Sequence, residues 1–328
     1  MEKIHWGIIS TANIGRKAMI PALQELPNAE VVGVASRDLG RAQTFAEALG
    51  IPKAYGDYQA LLDDPQIEAV YIPLPNHLHK EWTVRAADAG KHILCEKPLA
   101  LDVDECQQMI HAADANGVQL MESFMYRYHP RVKAAVEMIR SENIGALKTI
   151  ESAFTFYLGD KDDIRYKKEM GGGALMDLGC YCVSISRLMA GRNPVAVQAR
   201  ATWVPTDVDD QLVGIIDFGD ELFAHFDCAF NQGYRQHCFL SGTDGYLSIP
   251  EVFNPGEKKS TTQVFRSGKP EKVYKYKGVN EYALIAQDFM RSIDGDDPAY
   301  PIQDSVDNMR VIQALLKSAR MNGQVVDL

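Results

Sequence analysis

One lysine and one aspartate–tyrosine pair have the residue types and spacing for acid–base chemistry. Residues 91–98 read KHILCEKP, an apolar strand that runs into Glu96-Lys97-Pro98, and a lysine on a strand end fixed by a proline is predicted to be catalytic. Asp177 and Tyr181 follow a run of three glycines and are four residues apart, which places them on one face of a helix about a turn from each other. A purely structural reading makes this segment a flexible loop and a core tyrosine, which leaves Asp177 beside an aromatic ring without a purpose.

The opening strand–turn–helix is the first element that would position this chemistry. His5 to Ile9 is a buried-strand pattern, and in the dinucleotide fingerprint G-x-G-x-x-G the glycines after such a strand allow a tight turn and close approach of pyrophosphate. Here Ser10 and Ala12 occupy the first two glycine positions, and only Gly15 remains. Backbone amides at a helix N-terminus can still bind phosphate, although an ordinary strand–helix turn is the alternative. The predicted cofactor contacts of this turn are Ser10, Thr11, Ala12, Asn13 and Ile14.

The second predicted strand, residues 30–35, ends at Ser36-Arg37, where an Asp or Glu would hold the ribose 2′-hydroxyl of NAD. A hydroxyl and a guanidinium suit a 2′-phosphate instead, because Arg presents a planar fork of donors to phosphate oxygens. Arg41 could add a second positive charge, whereas Asp38 argues for NAD. The sequence therefore predicts NADP(H), with NAD as second choice; the alternative is a surface arginine after a strand.

Two later strand ends complete the predicted cofactor site. The strand at residues 69–72 ends in a loop at the carboxyl edge, where open parallel sheets bind ligands. We predict that Asn76 and His79 contact the ribose or Glu96. The loop residues assigned to cofactor binding are Leu74, Pro75, Asn76 and His79, together with Glu96 and Lys97 from the next strand.

The alternation of strands and helices up to residue 123 predicts a Rossmann-type doubly wound parallel sheet in residues 1–123. Residues 124–328 contain successive strand patterns with few helices, which predicts an α+β domain with a large, mostly antiparallel open sheet for substrate binding and dimerisation. Such a sheet needs its second face covered. We therefore expect a homodimer packed sheet face to sheet face, possibly assembled further into a tetramer.

Composition excludes several classes of function. The chain has 328 residues, 46% of them hydrophobic, and a net charge of −10, which allow two cores but argue against a nucleic-acid or anionic-membrane partner. No segment is long and apolar enough for a membrane helix, and the start lacks a signal-peptide pattern, so a cytoplasmic location is expected. The six cysteines lack zinc-site or disulfide spacing, so we expect reduced thiols and no metal.

Taken together, these motifs resemble the Gfo/Idh/MocA oxidoreductases over essentially the whole chain. The segments that carry the resemblance are Glu96-Lys97-Pro98, the glycine-rich run from Gly171 to Tyr181, Pro75-Asn76 with His79, and the run from Glu122 to Pro130. Tyr181, where many members carry His, is most similar to the subgroup of dimeric dihydrodiol dehydrogenases and NADP-dependent xylose dehydrogenases. Related sugar ketoreductases share much of the same pattern.

The resemblance implies roles for the candidate residues. Lys97 matches the catalytic lysine, Tyr181 the acid/base position and Asp177 the acidic residue that positions substrate. Hydride transfer between nicotinamide and a secondary alcohol requires a proton to leave or join the oxygen, and a nearby ammonium favours the phenolate of a tyrosine. Tyr181 is therefore assigned as proton carrier and Lys97 as its electrostatic partner, with the reverse assignment left open. Arg127 and Arg165 are predicted to bind substrate hydroxyls, or else to be solvated surface charges.

The implied reaction interconverts a secondary alcohol and a ketone of a sugar or cyclic diol, for example an aldopyranose such as xylose or a trans-dihydrodiol. A sugar ketoreductase and an oxidoreductase with tightly bound cofactor are alternatives. A non-catalytic nucleotide-binding regulator is a further alternative, but it would be free to lose Lys97, Asp177 and Tyr181, which are all present. The particular alcohol and the physiological direction stay open.

Overall fold

The computed structural model describes residues 3–328, which form two compact units. The first unit contains the residues up to Met125 together with Asn280–Val306, and the second contains Tyr126–Val279 and Asp307–Leu328. The sequence-based division assigns everything after residue 123 to the second domain, whereas Asn280–Val306 packs with the first unit. No helix within residues 3–328 is long and apolar enough to cross a membrane.

The first unit is built on a six-stranded parallel sheet with the strand order β3-β2-β1-β4-β5-β6. Trp6 and Ile8 of the central strand are fully buried, as expected for a parallel sheet covered on both faces. The order reverses direction between β1 and β4, and ligands bind at the carboxyl ends of strands at such a switch point. The predicted doubly wound sheet is confirmed. Its strands are β1 (Ile4–Ile9), β2 (Ala29–Ala35), β3 (Lys53–Tyr55), β4 (Ala69–Ile72), β5 (His92–Cys95) and β6 (Leu120–Glu122).

Helices link these strands, and aspartates start three of them. Asp38, Asp57 and Asp102 each accept a hydrogen bond from the backbone amide three residues ahead, which satisfies a donor that the helix leaves open. The first helix opens with a π-helical turn at Gly15–Met19. The helices are α1 (Ile20–Gln24), α2 (Leu39–Leu49), α3 (Tyr58–Leu62), α4 (His79–Asp88) and α5 (Val103–Ala115).

The remaining helices are divided between the two units. In the second unit, α7 continues a π-helical turn at Leu175–Gly179. Helix α8 belongs to the first unit, where the ring of its Phe289 lies 5.3 Å from the ring of Trp6. These helices are α6 (Pro130–Arg140), α7 (Cys180–Ala190), α8 (Glu281–Ile293) and α9 (Gln303–Arg320).

The second unit contains a nine-stranded sheet with the order β14-β13-β12-β11-β7-β10-β9-β8-β15. Neighbouring strands are antiparallel except β7 and β10, which are parallel. The predicted large, mostly antiparallel sheet is therefore confirmed. Its strands are β7 (Leu147–Tyr157), β8 (Ala196–Trp203), β9 (Asp209–Asp217), β10 (Phe223–Ala229), β11 (Asn231–Gly242), β12 (Tyr246–Pro250), β13 (Ser260–Arg266), β14 (Lys269–Tyr276) and β15 (Val326–Asp327).

One face of this sheet packs on α7 and the π-helical turn before it. A Cβ atom at Gly179 would lie 2.9 Å from the sulfur of Cys228 on β10, so only glycine permits this close approach of helix and sheet. Along β9 the side chains alternate: Leu212 and Ile216 are buried, whereas Val213 and Ile215 are 49% and 45% exposed. The second face thus carries exposed apolar side chains.

Candidate functional site

The turn after β1 holds a serine in a backbone conformation that favours glycine. Ser10 adopts a φ of +133°, a region that favours glycine. Its hydroxyl donates to the carbonyl of Pro73 at 3.2 Å and accepts from the amide of Ala12 at 3.1 Å. The helix begins at Asn13, where Asn13 and Ile14 are exposed and Thr11 and Ala12 are partly exposed. This leaves a helix N-terminus open to an anion.

Positive charge lies at the end of β2. Arg37 and Arg41 are exposed, and the guanidinium of Arg37 hydrogen-bonds the Tyr58 hydroxyl. Burial raises the pKa of Tyr58, and the charges of both arginines oppose the rise. Ser36 accepts a hydrogen bond from the amide of Asp38 at 3.3 Å, and the Asp38 carboxylate accepts from the amide of Arg41 at 2.7 Å. One carboxylate oxygen of Asp38 caps α2, and the two guanidinium groups of Arg37 and Arg41 are donors that fit a 2′-phosphate.

A buried histidine joins the loops after β4 and β5. The ring nitrogens of His79 lie 2.8 Å from the carbonyl oxygen of Leu74 and 2.9 Å from that of Pro98, and the residue is fully buried. Burial lowers the pKa of His79, and a neutral ring can donate to only one of the two carbonyls. Pro75 directly follows Leu74 and precedes a 3-10 turn that starts at Asn76. Both ring nitrogens of His79 face loop carbonyls rather than Glu96, and the expected contact with the ribose stays a prediction.

Two buried carboxylates hold the segment that carries Lys97. Glu96 accepts from the Tyr71 hydroxyl at 2.6 Å and from the amide of Lys97 at 3.3 Å. Burial raises the pKa of Glu96, and the Tyr71 hydrogen bond and the charge of Lys97 oppose that rise. Glu122, on the neighbouring strand, accepts from the amide of Leu99 at 2.8 Å. The backbone on both sides of Lys97 is therefore anchored, which is what a lysine with a defined direction requires.

In the second unit the glycine-rich segment folds back onto Arg165. The amide of Gly173 donates to the Arg165 carbonyl at 2.9 Å, and a Cβ atom at Gly172 would lie 2.4 Å from that oxygen. The Arg165 guanidinium donates from Nε to Asp177 at 2.7 Å and also pairs with Asp163 at 3.2 Å. The charge of Asp177 raises the pKa of Arg165. The structure thus brings together Arg165 and Asp177 as an ion pair.

Tyr181 lies one helical turn beyond Asp177, inside an aromatic cluster. Its ring centroid is 5.7 Å from that of Tyr126, 5.5 Å from Phe154 and 5.3 Å from Phe253, and the residue is 6% exposed. Tyr181 is therefore held by packing against three aromatic rings.

Arg127 is buried against α7 rather than solvated. It is 5% exposed, and its Nε and Nη2 atoms donate to the hydroxyl of Ser184 at 2.9 and 2.7 Å. Tyr126 hydrogen-bonds the same hydroxyl. The segment after β6 is thereby tied to α7 one turn from Tyr181. The prediction of a surface charge is wrong, while a direct contact with substrate stays a prediction.

Sequence reasoning did not identify four residues that shape this region: Phe154, Ser184, Asp209 and Phe253. Phe154 and Phe253 are ordinary core types in strand-rich sequence, and the Ser184 and Asp209 contacts join residues that are far apart along the chain. No local pattern signals such contacts. Within residues 3–328 no group of three His, Cys, Asp or Glu side chains is placed to hold a metal ion, and all six cysteines are buried thiols.

Comparison with known proteins gives the same assignment in both units. Residues 4–124 match the GFO/IDH/MocA oxidoreductase family with an NAD-binding Rossmann fold, and residues 132–248 match the GFO/IDH/MocA C-terminal domain. D-xylose 1-dehydrogenase (NADP(+)) 2 of Haloferax volcanii is 38% identical, with 98% of this chain and 99% of the relative covered. Trans-1,2-dihydrobenzene-1,2-diol dehydrogenase of Mus musculus is 34% identical, with 77% of each chain covered.

The solved structures include a 3-ketoreductase from Actinomadura kijaniata in complex with NADP and TDP-benzene. It superposes with a TM-score of 0.91 at 30% identity, over 97% of this chain and 98% of the ketoreductase. Two of its solved variants change a tyrosine to phenylalanine and a lysine to alanine, at positions eighty-four residues apart, the same separation as Lys97 and Tyr181. From these matches, the chain belongs to the GFO/IDH/MocA family of oxidoreductases.

Proposed function

We propose that this protein is an NADP(H)-dependent oxidoreductase that transfers a hydride between nicotinamide and a secondary alcohol or ketone of a sugar or cyclic diol. The observation that carries the proposal is the helix with Asp177 and Tyr181 one turn apart, opened by a glycine run that also fixes Arg165. The relatives support the substrate class, because one is named for D-xylose and another for a trans-dihydrodiol.

The first unit supplies groups that fit NADP. The open helix N-terminus after Ser10 suits the pyrophosphate, and Arg37 with Arg41 suits the 2′-phosphate. Asp38 argued for NAD in the sequence, but its carboxylate accepts from the amide of Arg41 and caps α2. When bound, the nicotinamide supplies or accepts the hydride. NADP is therefore the preferred cofactor, and NAD the second choice.

Tyr181 is assigned as the group that moves the proton. Its phenol would donate to the substrate oxygen in the reductive direction and accept from it in the oxidative direction. A tyrosine with an ordinary pKa near 10 is a poor base at neutral pH, because forming its phenolate there costs free energy. Lys97 is assigned as the cation that lowers this cost. In the reverse assignment the lysine itself donates the proton.

Asp177 and Arg165 are assigned to substrate hydroxyls. Both are partly exposed, with side-chain accessibilities of 20% and 39%. A carboxylate accepts and a guanidinium donates hydrogen bonds, so the pair can bind two hydroxyl groups of a polyol at once. The likeness to a 3-ketoreductase favours a sugar ketone as a second candidate substrate, for which the same residues act in the reductive direction.

A homodimer formed through the open sheet face is also proposed. Val213, Ile215 and Phe223 are 45% to 49% exposed on neighbouring strands of that face, and large apolar side chains in such a group usually mark an interface. Size-exclusion chromatography with light scattering should give a dimer. Ile215→Lys should shift it to monomer, and a wild-type monomer at micromolar concentration would contradict the proposal.

The reaction is tested by following NADP⁺ reduction across aldopyranoses, inositols and trans-dihydrodiols, with NAD⁺ in parallel. NADPH oxidation with sugar ketones covers the reductive direction. We expect turnover of one substrate class, faster with NADP⁺ than with NAD⁺ and abolished in Lys97→Ala. Tight binding of NADPH without turnover in either direction would instead support a nucleotide-binding regulator.

A further inference from the structure

A carboxylate from a distant strand caps the helix that carries Asp177 and Tyr181. Asp209, the first residue of β9, is 2% exposed, and its Oδ2 atom accepts from the amide of Leu175 at 2.7 Å. Ala174 stands at the N-cap position of this helix and supplies no side-chain hydrogen bond. Asp209 therefore provides the acceptor that a Ser or Asp ordinarily provides from the cap position itself.

The backbone of Gly173 lies so close to the Asp209 carboxylate that a side chain at this position would clash with it. Gly173 has a φ of +121°, and a Cβ atom there would lie 2.4 Å from Oδ1 of Asp209. The same glycine donates its amide to the carbonyl of Arg165 and accepts from the amide of Asp177. The Asp209 carboxylate thus lies against Gly173 and also hydrogen-bonds the first turn of the helix, immediately before Asp177.

We propose that Asp209 is a positioning residue: it holds the first turn of this helix so that Asp177 and Tyr181 point in a fixed direction, without itself contacting substrate. The catalytic consequence rests on the proposed function. A small displacement of reacting groups costs much more rate than stability, since about 1 Å can lower a rate by about a hundredfold.

The capping role requires an oxygen acceptor at this position and does not require a charge. Burial raises the pKa of Asp209 to about 6, and the hydrogen bond from Leu175 opposes the rise. At neutral pH the ionised group is therefore retained at a cost in folding free energy.

The test compares Asp209→Ala, Asp209→Asn and the matched control Asp210→Ala. Asp210 is the next residue, carries the same charge, and accepts hydrogen bonds from Thr202 and Asn231 rather than from the helix. The readouts are kcat and KM for the substrate, the Kd for NADPH, and amide hydrogen exchange of residues 174–181. Exchange needs no turnover, so it separates this proposal from the proposed function.

We expect Asp209→Ala to lower kcat by about tenfold to a hundredfold and to accelerate exchange of residues 174–181. KM for the substrate should rise, because Asp177 is assigned to substrate hydroxyls, while the Kd for NADPH should change little. Asp209→Asn keeps an oxygen that can accept from Leu175 and should recover most of the kcat and the slow exchange. Asp210→Ala should match the wild type. Unchanged kcat and exchange in Asp209→Ala, or a loss of kcat with unchanged exchange, would overturn the proposal. If the wild type has no activity on any substrate, the proposed function fails, and exchange alone decides whether Asp209 holds the helix.

Discussion

Replacing Gly173 with alanine should disturb the helix start much more than an ordinary glycine substitution. The alanine would have to adopt a φ of +121°, which costs about 1–3 kcal/mol for a residue with a side chain. Its Cβ atom would also lie 2.4 Å from Oδ1 of Asp209, so the carboxylate must move and its bond to Leu175 is lost. Losing a buried hydrogen bond to a charged group adds about 1.5–3 kcal/mol.

Gly191 provides the matched control at the other end of the same helix. It also has a positive φ, +66°, but nothing lies within 4 Å of the place where its Cβ atom would be. Gly191→Ala should therefore cost only the backbone term, about 1–2 kcal/mol. The difference between the two substitutions combines the clash with Asp209 and the larger backbone strain at Gly173, and amounts to about 2–4 kcal/mol in the free energy of unfolding.

Thermal unfolding followed by circular dichroism measures this difference. At about 2–4 °C per kcal/mol for a unit of this size, Gly173→Ala should unfold about 5–15 °C below Gly191→Ala. Its kcat should also fall, because Asp177 and Tyr181 follow directly in the same helix. Equal unfolding temperatures and equal kcat values for the two variants would refute the reasoning.

Three further predictions concern other parts of the chain. Arg37→Ala should raise the KM for NADP⁺ about tenfold to a hundredfold, the worth of a charge-assisted hydrogen bond, while the KM for NAD⁺ stays unchanged in steady-state assays; equal effects on both would contradict a 2′-phosphate site. Asp38→Ala should lower the free energy of unfolding by about 1 kcal/mol through loss of the α2 cap, without changing the ratio of kcat/KM for NADP⁺ to that for NAD⁺. Burial lowers the pKa of His129 from 6.5 to about 4. The unfolded chain therefore binds a proton at His129 at higher pH than the folded protein does, and the folding stability present above about pH 6.5 is lost as the pH falls towards 4. The slope is about 1.4 kcal/mol per pH unit. His129→Asn should reduce this acid loss in denaturant titrations between pH 7.5 and 4.5 while preserving an acceptor for the amide of Arg131; an unchanged pH dependence would contradict it.

Local sequence patterns were sufficient for the elements that bury continuous apolar runs or carry clear end signals. The strand at residues 69–72 has the bounds that the sequence predicts, and the helix Pro130–Arg140 begins at a proline, which is a start signal that the sequence contains. The strand is a short apolar run buried on both faces. The helix starts with a proline at its first position, which has no amide hydrogen to leave unsatisfied.

The sequence did not predict β12, β13 and β14. The last of these contains three lysines and a glutamate within eight residues and is largely exposed, so it lacks the alternation by which a half-buried strand is recognised. Charged side chains are typical of edge strands, where they discourage pairing with other chains. The return of α8 to the first unit depends on contacts such as Trp6 with Phe289, which no local pattern encodes.

The candidate site likewise combines residues that the sequence identifies with contacts that it does not predict. Residue type and spacing pointed to Lys97, Asp177 and Tyr181, because acid–base chemistry restricts which side chains can take part. The supporting contacts of His79 and Asp209 could not be predicted, because each joins backbone groups from segments distant in sequence. Asp38 shows the reverse case: its residue type suggests a ribose ligand, whereas its position makes it a helix cap.

The most direct test of the account is a double-mutant cycle on kcat/KM with Tyr181→Phe, Lys97→Ala and the double variant, measured with the best substrate of the panel. If Tyr181 carries the proton and Lys97 acts through it, each single variant should lose most of the activity and the double variant little more, since residues that act as a unit are not additive. Near-normal turnover in Tyr181→Phe, or losses that simply multiply in the double variant, would contradict the proposed pairing.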